Sequence, residues 1–135
     1  MLEKIKFKGF ETSASEFKEL EDAEGGKYKV TFEGYKFTSD KDEDEEFSWI
    51  EVIAEPNITG YSKDDTENTT PVFNVDLTIT LFFDVQSEDI VSYDFFKKNI
   101  WFFENFVAIS TKLAVESTLL HTPLSTIKLP WSIPT

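Results

Sequence analysis

From residue 73 to residue 85 the chain alternates almost without a break. Phe73, Val75, Leu77, Ile79, Leu81, Phe83 and Val85 are apolar, and Asn74, Asp76, Thr78, Thr80 and Asp84 lie between them. Successive side chains of a strand point to opposite faces, so this pattern predicts one long strand with an apolar face and a polar face. Phe82 alone breaks the polar row. A strand with one wetted face belongs in an antiparallel sheet covered on one side only. The expected class is α+β, with strands over residues 1–86, helices over 87–120 and a tail over 121–135, all in a single domain.

The earlier segments show the same period with interruptions. Lys4-Ile5-Lys6-Phe7 alternates, and the apolar phase moves to Phe10 after Gly9. Tyr28, Val30 and Phe32 share a face, and Tyr35 and Phe37 take the other phase after Gly34. A bulge at each glycine produces such a switch. Residues 13–26, with Phe17 and Leu20 as isolated anchors, fit a loop, a short helix or a strand continuation. Residues 47–54 form a strand with Phe47, Trp49 and Ile53 on one side and Ile50, Val52 and Ala54 on the other. Apolar residues on both sides predict burial on one face and a partner on the other. Residues 56–71 are either a long hairpin connection or a loop that prolongs the strand through Ile58-Thr59-Gly60-Tyr61.

After residue 86 the period changes. Ser87 is a candidate cap for a short helix, with Glu88 and Asp89 at its positive end and Lys97 and Lys98 at its negative end. Asp94 precedes Lys98 by one turn, and Asn99 is a stop. A second helix from about residue 100 to 120 spans roughly 30 Å. Phe102, Phe106, Ile109, Leu113 and Leu120 form one stripe on it, and Trp101, Ala108, Val115 and Leu119 a second. Glu104, Thr111 and Thr118 mark the expected wet side. Two apolar stripes exceed what one sheet face needs, so the spare one points to a subunit interface or a binding surface. Pro123 ends the helix, and Ile127, Leu129, Trp131 and Ile133 alternate in the tail.

Composition narrows the partners. With 135 residues and 14 phenylalanines the chain can build a core. It has no cysteine, which removes disulfides and thiolate chemistry and suits a reducing compartment. No signal-like apolar run follows Met1, and no stretch suits a membrane helix, so a cytoplasmic location is expected. The net charge is −13, and all 13 basic residues are lysine. Arginine is the usual reader of phosphate and guanine, so nucleic acid and anionic membrane are disfavoured as partners and a basic protein surface is favoured.

The carboxy-terminal half resembles the SecB export-chaperone family in a short, divergent form. The likeness rests on Leu81-Phe82-Phe83-Asp84-Val85, then Ser87-Glu88-Asp89-Ile90, then the run from Phe96-Lys97-Lys98-Asn99 through Ile100-Trp101-Phe102-Phe103-Glu104-Asn105-Phe106 to Val107-Ala108-Ile109-Ser110. Family members open the long helix with a Leu-Phe-Pro-Tyr-x-Arg segment. Phe103-Glu104-Asn105-Phe106 lacks its proline, tyrosine and arginine. Leu119-Leu120-His121-Thr122-Pro123-Leu124 and Leu129-Pro130-Trp131 stand where the family has a small-residue turn and a Leu-Pro-Pro-like segment.

The resemblance implies a four-stranded antiparallel sheet with two helices on one face, and a homo-tetramer built as a dimer of dimers. It implies an ATP-independent holdase, without cofactor, that binds unfolded polypeptide on apolar grooves. Members pass clients to the basic, zinc-bearing tail of the export ATPase through an acidic sheet surface, and some protect the antitoxin of a toxin–antitoxin pair. The candidate client or interface residues are Phe82, Phe95, Phe96, Trp101, Phe102 and Phe106, and Asp76 and Asp84 are the candidate acidic docking surface. The rival reading is an acidic host- or phage-encoded inhibitor or interaction module on the same fold.

Catalytic and metal chemistry find little support. Asp40, Asp42, Asp44 and Glu51 fall at ligand positions of a calcium loop, but Glu45 stands where that loop turns on glycine. His121 is the single histidine and has no identifiable nucleophile or carboxylate partner. Neither a catalytic residue nor a metal ligand is assigned.

Overall fold

A computed structural model describes residues 1–20, 27–62, 65, 67 and 70–120. After a 3-10 turn at Leu2–Lys4 come β1 (Ile5–Glu19), β2 (Lys27–Asp40), β3 (Ser48–Tyr61) and β4 (Pro71–Val85), then α1 (Tyr93–Lys98) and α2 (Ile100–Leu119). The strands make one antiparallel sheet in the order β1-β4-β3-β2. β3 and β4 are therefore central, and β1 and β2 are the edges. Both helices pack on one face, giving the α+β architecture that the alternation predicts.

The alternation in β4 translates directly into burial. Val75, Ile79, Leu81 and Val85 are fully buried, whereas Asp76 and Asp84 are exposed. Ile50, Val52, Ala54 and Ile58 of β3 fill the same helix-covered face. Trp49 and Ile53 are half-buried on the other, open face, while Phe47 precedes the strand and is largely exposed. β1 continues to Glu19, and β3 runs on through Pro56 to Tyr61.

Irregular pairing sits where Gly9 and Gly34 predict it, and at two further places, around Ser13 and between Gly60 and Tyr61. Pairing steps from Phe7↔Phe83 to Gly9↔Phe82, and from Phe32↔Pro56 to Tyr35↔Ala54. Gly9 and Gly34 have φ of +143° and +114°, which side chains with a Cβ rarely adopt. Ser13 adds a bulge between Thr12↔Ile79 and Ala14↔Thr78. The β3–β4 ladder keeps its register past Pro56, which has no N–H to donate, and slips between Gly60↔Phe73 and Tyr61↔Pro71.

The helices depart from the expected phases. α1 begins at Tyr93, not near Ser87, and its cap is Ser92, whose Oγ accepts from the Phe95 N–H at 3.1 Å. Ser87 Oγ instead accepts from the Asp89 N–H at 3.1 Å and closes a local turn. The stretch between is held extended by β2 and β3: Val91 N–H donates to Ser39 Oγ at 3.0 Å, and Ser48 Oγ donates to the Asp89 carbonyl at 2.8 Å. Lys98 does pair with Asp94, at 3.1 Å, and Asn99 does end α1.

On α2 the core-facing stripe is Phe103, Val107, Ser110 and Ala114, outside both expected stripes. Of the second expected stripe, Ala108, Val115 and Leu119 are buried and Trp101 is exposed. Thr111, expected on the wet side, is buried too. The first expected stripe points outward: Phe102, Phe106 and Ile109 are half-buried, and Leu113 and Leu120 are 45% and 60% exposed. An apolar residue on nearly every side gives the period no contrast, so the phase could not be read from it. His121 and the alternating tail lie outside the described residues. No helix among the described residues is long and apolar enough to cross a membrane.

Candidate functional site

The helices cover the centre of the sheet and leave its margins partly bare. The apolar residues of β3 and β4 on the covered face are buried, but Phe7, Phe10 and Phe17 of β1 and Val30, Phe32, Tyr35 and Phe37 of β2 are only half-buried against that core. Two apolar shoulders therefore flank the helices, and rings connect them. On the β2 side Phe37 stacks on Phe96 of α1 at 4.7 Å, with Tyr93 at 6.2 Å from Phe37. Phe96 meets Phe103 of α2 at 4.9 Å, and Phe103 meets Phe83 of β4 at 5.3 Å. Phe83 meets Phe7 of β1 at 5.3 Å, and Phe7 meets Phe106 at 4.7 Å. The path ends outward through Phe102, 5.4 Å from Phe106, to Trp101, which is 58% exposed. Edge-on and offset ring pairs of this kind stabilise beyond the area they bury.

Four of the six predicted aromatic residues, Phe96, Trp101, Phe102 and Phe106, lie on this path. Phe96 is buried and serves as its keystone, whereas the other three line its outer end. Phe95 is half-buried against the core from α1. Sequence reasoning left Tyr35, Phe37, Tyr93 and Phe7 out of the site, because only the register of β1 and β2 brings them to α1 and α2. The period-two phase of Tyr35 and Phe37 marks their shared face, but nothing local names the ring opposite. Burial, and then the negative charge of Glu104, push the Tyr35 phenol up to about 12.

Phe82 stands apart from the other five. It is half-buried on the open face, where it pairs with Gly9 of β1 and Glu51 of β3. There it lines a trough with Phe47, Trp49, Asp84, Lys6 and Lys8. Asp84, on the same face, lies 3.7 Å from Lys8 Nζ. Asp76 is held by two amides: its Oδ1 accepts from Asn57 Nδ2 at 2.7 Å and its Oδ2 from Asn74 Nδ2 at 2.8 Å. The two predicted docking carboxylates thus share a face but sit in different settings, one beside a lysine and one in a neutral amide network.

No family model matches the chain, and no curated protein matches it. A solved structure does match: the SecB-like chaperone Rv1957 of Mycobacterium tuberculosis in complex with a ChAD peptide from the Rv1956 HigA1 antitoxin. The superposition covers 99% of this chain and 92% of that one, with a TM-score of 0.70 and 12% identical residues. The sheet order, the paired helices on one face and this near-complete overlap make the fold of the chain SecB-like, on a widely diverged sequence.

Proposed function

We propose that this chain is a SecB-like chaperone that holds unfolded or partner polypeptides without ATP. The observation that carries the reading is the ring path with its two half-covered shoulders. A folded chain that keeps so many aromatic faces at its margins, on a fold shared with a peptide-bound chaperone, has apolar surface to offer other chains. An antitoxin segment is one client class, by likeness to the Rv1957 complex. Transport is a second, through delivery of held clients.

The outward stripe of α2 supports self-assembly. Phe102, Phe106, Ile109, Leu113 and Leu120 recur at the near-heptad spacing with which one helix packs on another. A dimer or tetramer buries this stripe and leaves the shoulders for clients. The open face, with Asp76 and Asp84, is the side proposed to meet a basic partner protein.

The test is suppression of aggregation of a thermally unfolded protein, without nucleotide, with light scattering on the chaperone alone. The expected result is suppression near stoichiometric amounts by an oligomer, weakened by Trp101→Asp and little changed by salt. A strict monomer without suppression overturns the proposal. The acidic-module reading predicts instead one partner captured at low salt and released at high salt.

A further inference from the structure

We propose that the outer edge of β2 over residues 27–32 captures extended polypeptide as a fifth strand, and that it selects segments in which apolar and acidic residues alternate. The inference rests on the polypeptide-holding reading and specifies what is held and how.

Among the described residues β2 has a strand neighbour on one side only. Its other side presents N–H and C=O groups that a further strand can satisfy. Over residues 27–32 the two faces of this edge differ sharply. Lys27, Lys29 and Thr31 lie on the open face, in register with Tyr61, Thr59 and Asn57. Tyr28, Val30 and Phe32 lie on the covered face, in register with Gly60, Ile58 and Pro56. Val30 and Phe32 are half-buried on the core, so an added strand finds an apolar floor continuous with Ile58.

Three observations confine the dock to this half of the strand. α1 and the segment before it cover the other half, through Phe37 on Phe96 and the Val91 N–H on Ser39 Oγ. The bulge at Gly34 breaks the edge just past Phe32. Residues 27–32 then offer a straight run of roughly 20 Å, an ordinary strand length.

Charge chooses the occupant. Lys27 and Lys29 are exposed, their cross-strand neighbours Tyr61 and Thr59 are neutral, and the ion pairs among the described residues use neither. In a chain of net charge −13 this is a local cationic row. Opposite charges directly across a ladder stabilise it and like charges oppose it. The added strand therefore places carboxylates opposite the lysine row and apolar side chains beside Val30 and Phe32. The other edge is a poorer dock: the corresponding half of β1 presents Ser15 and Glu19 around Phe17 on its covered face, and its Lys18 already pairs with Glu16 at 3.1 Å.

The test uses the full chain and short labelled peptides of one length. One alternates valine, isoleucine or phenylalanine with glutamate, one groups the same residues in blocks, and a third alternates with lysine in place of glutamate. Anisotropy should show the alternating acidic peptide binding about tenfold more tightly than either other peptide. Its binding should slow amide exchange within residues 27–32, most at the alternate N–H groups that point away from β3. The double variant Lys27→Glu/Lys29→Glu, on an exposed edge away from the core, should reverse the preference toward the lysine peptide.

Equal binding of the three peptides, or protection confined to α2 or β1, overturns the proposal. So does protection of these amides by a second copy as protein concentration rises. If aggregation is still suppressed in any of these cases, the holdase reading stands and only the β2 dock falls. Loss of suppression together with loss of all peptide binding removes both.

Discussion

The central strands and the edge strands use the same alternation to different ends. In β3 and β4 the covered face is sealed: Ile50, Val52, Ile58, Val75, Ile79 and Leu81 have no exposed surface. In β1 and β2 the corresponding residues, Phe7, Phe10, Val30, Phe32, Tyr35 and Phe37, stay half-covered although they are as large or larger. Stability scales with apolar area removed from water, so the centre should carry most of it. The edges keep apolar surface in reserve. The difference separates what holds this protein together from what it can offer to another chain.

Substitutions can break or sharpen that division. The largest effect is expected at the centre. Phe103→Ala leaves a hole between Phe83, Phe96 and Phe102, and should cost about 3–5 kcal/mol, read as a lowered denaturation midpoint. A cost below about 1 kcal/mol would mean that the ring path is soft and the central seal unimportant. Next comes Gly60→Ala in β3. Gly60 faces Phe73, whose ring fills the space a Cβ would take, so the methyl group must push a buried ring aside. About 1–3 kcal/mol should be lost in the same denaturation experiment.

Ser92→Ala removes the cap of α1, the element that packs on Tyr35 and Phe37 of β2, and should cost about 1 kcal/mol. Amide exchange should then quicken in Tyr35 and Phe37 before it does in β4. Leu113→Lys on the outward stripe should change monomer stability by less than about 0.5 kcal/mol while shifting light scattering toward smaller species. An unchanged mass would disconnect that stripe from assembly. The smallest effect concerns Tyr35. Its folded-state pKa of about 12 lies above the ordinary 10, so the folded state holds the phenolic proton longer than the unfolded state. Its contribution is complete below pH 10 and lost as pH rises from 10 to about 12. The melting temperature of Tyr35→Phe should fall less steeply over that range than that of the parent chain.

Legibility followed contrast. β4 could be read closely from Phe73 to Val85, because apolar and polar positions alternate cleanly there, although the strand begins two residues earlier, at Pro71. Gly9 and Gly34 announced their bulges, since each coincides with a change of apolar phase. Ser13 gave no such sign: the residues around it are small or polar in both phases, and its bulge appears only as a slip against Thr78 and Ile79. The start of α1 is ambiguous in sequence because Ser87 and Ser92 each have an acidic residue two positions on, Asp89 and Asp94. Ser39, which accepts from the Val91 N–H, and Ser48, which donates to the Asp89 carbonyl, are far away in sequence and decide between them. α2 hid its core stripe for the opposite reason, since nearly every position around Phe102, Phe103 and Phe106 is apolar.

The same limits applied to the site. Phe82 could be singled out as an apolar residue in a polar row, but its separation from the other rings is a matter of which face the helices choose. The rings at the β2 margin became part of the site only through the pairing of β2 with β3 and the placement of α1. Neither is written in a local window of sequence.

The strand order has a consequence for the order of synthesis. β1 is made first, yet its only strand neighbour among the described residues is β4, and Ile5 pairs with Val85. The nascent chain must therefore carry an unmatched first strand until the last strand has left the ribosome. Contacts so distant along the chain close slowly and leave apolar surface open meanwhile. The polar run of β1 from Glu11 to Glu16 suits that wait, since it gives a stray strand little to bury. If this protein shelters unfinished chains, its own first strand spends its early life as one.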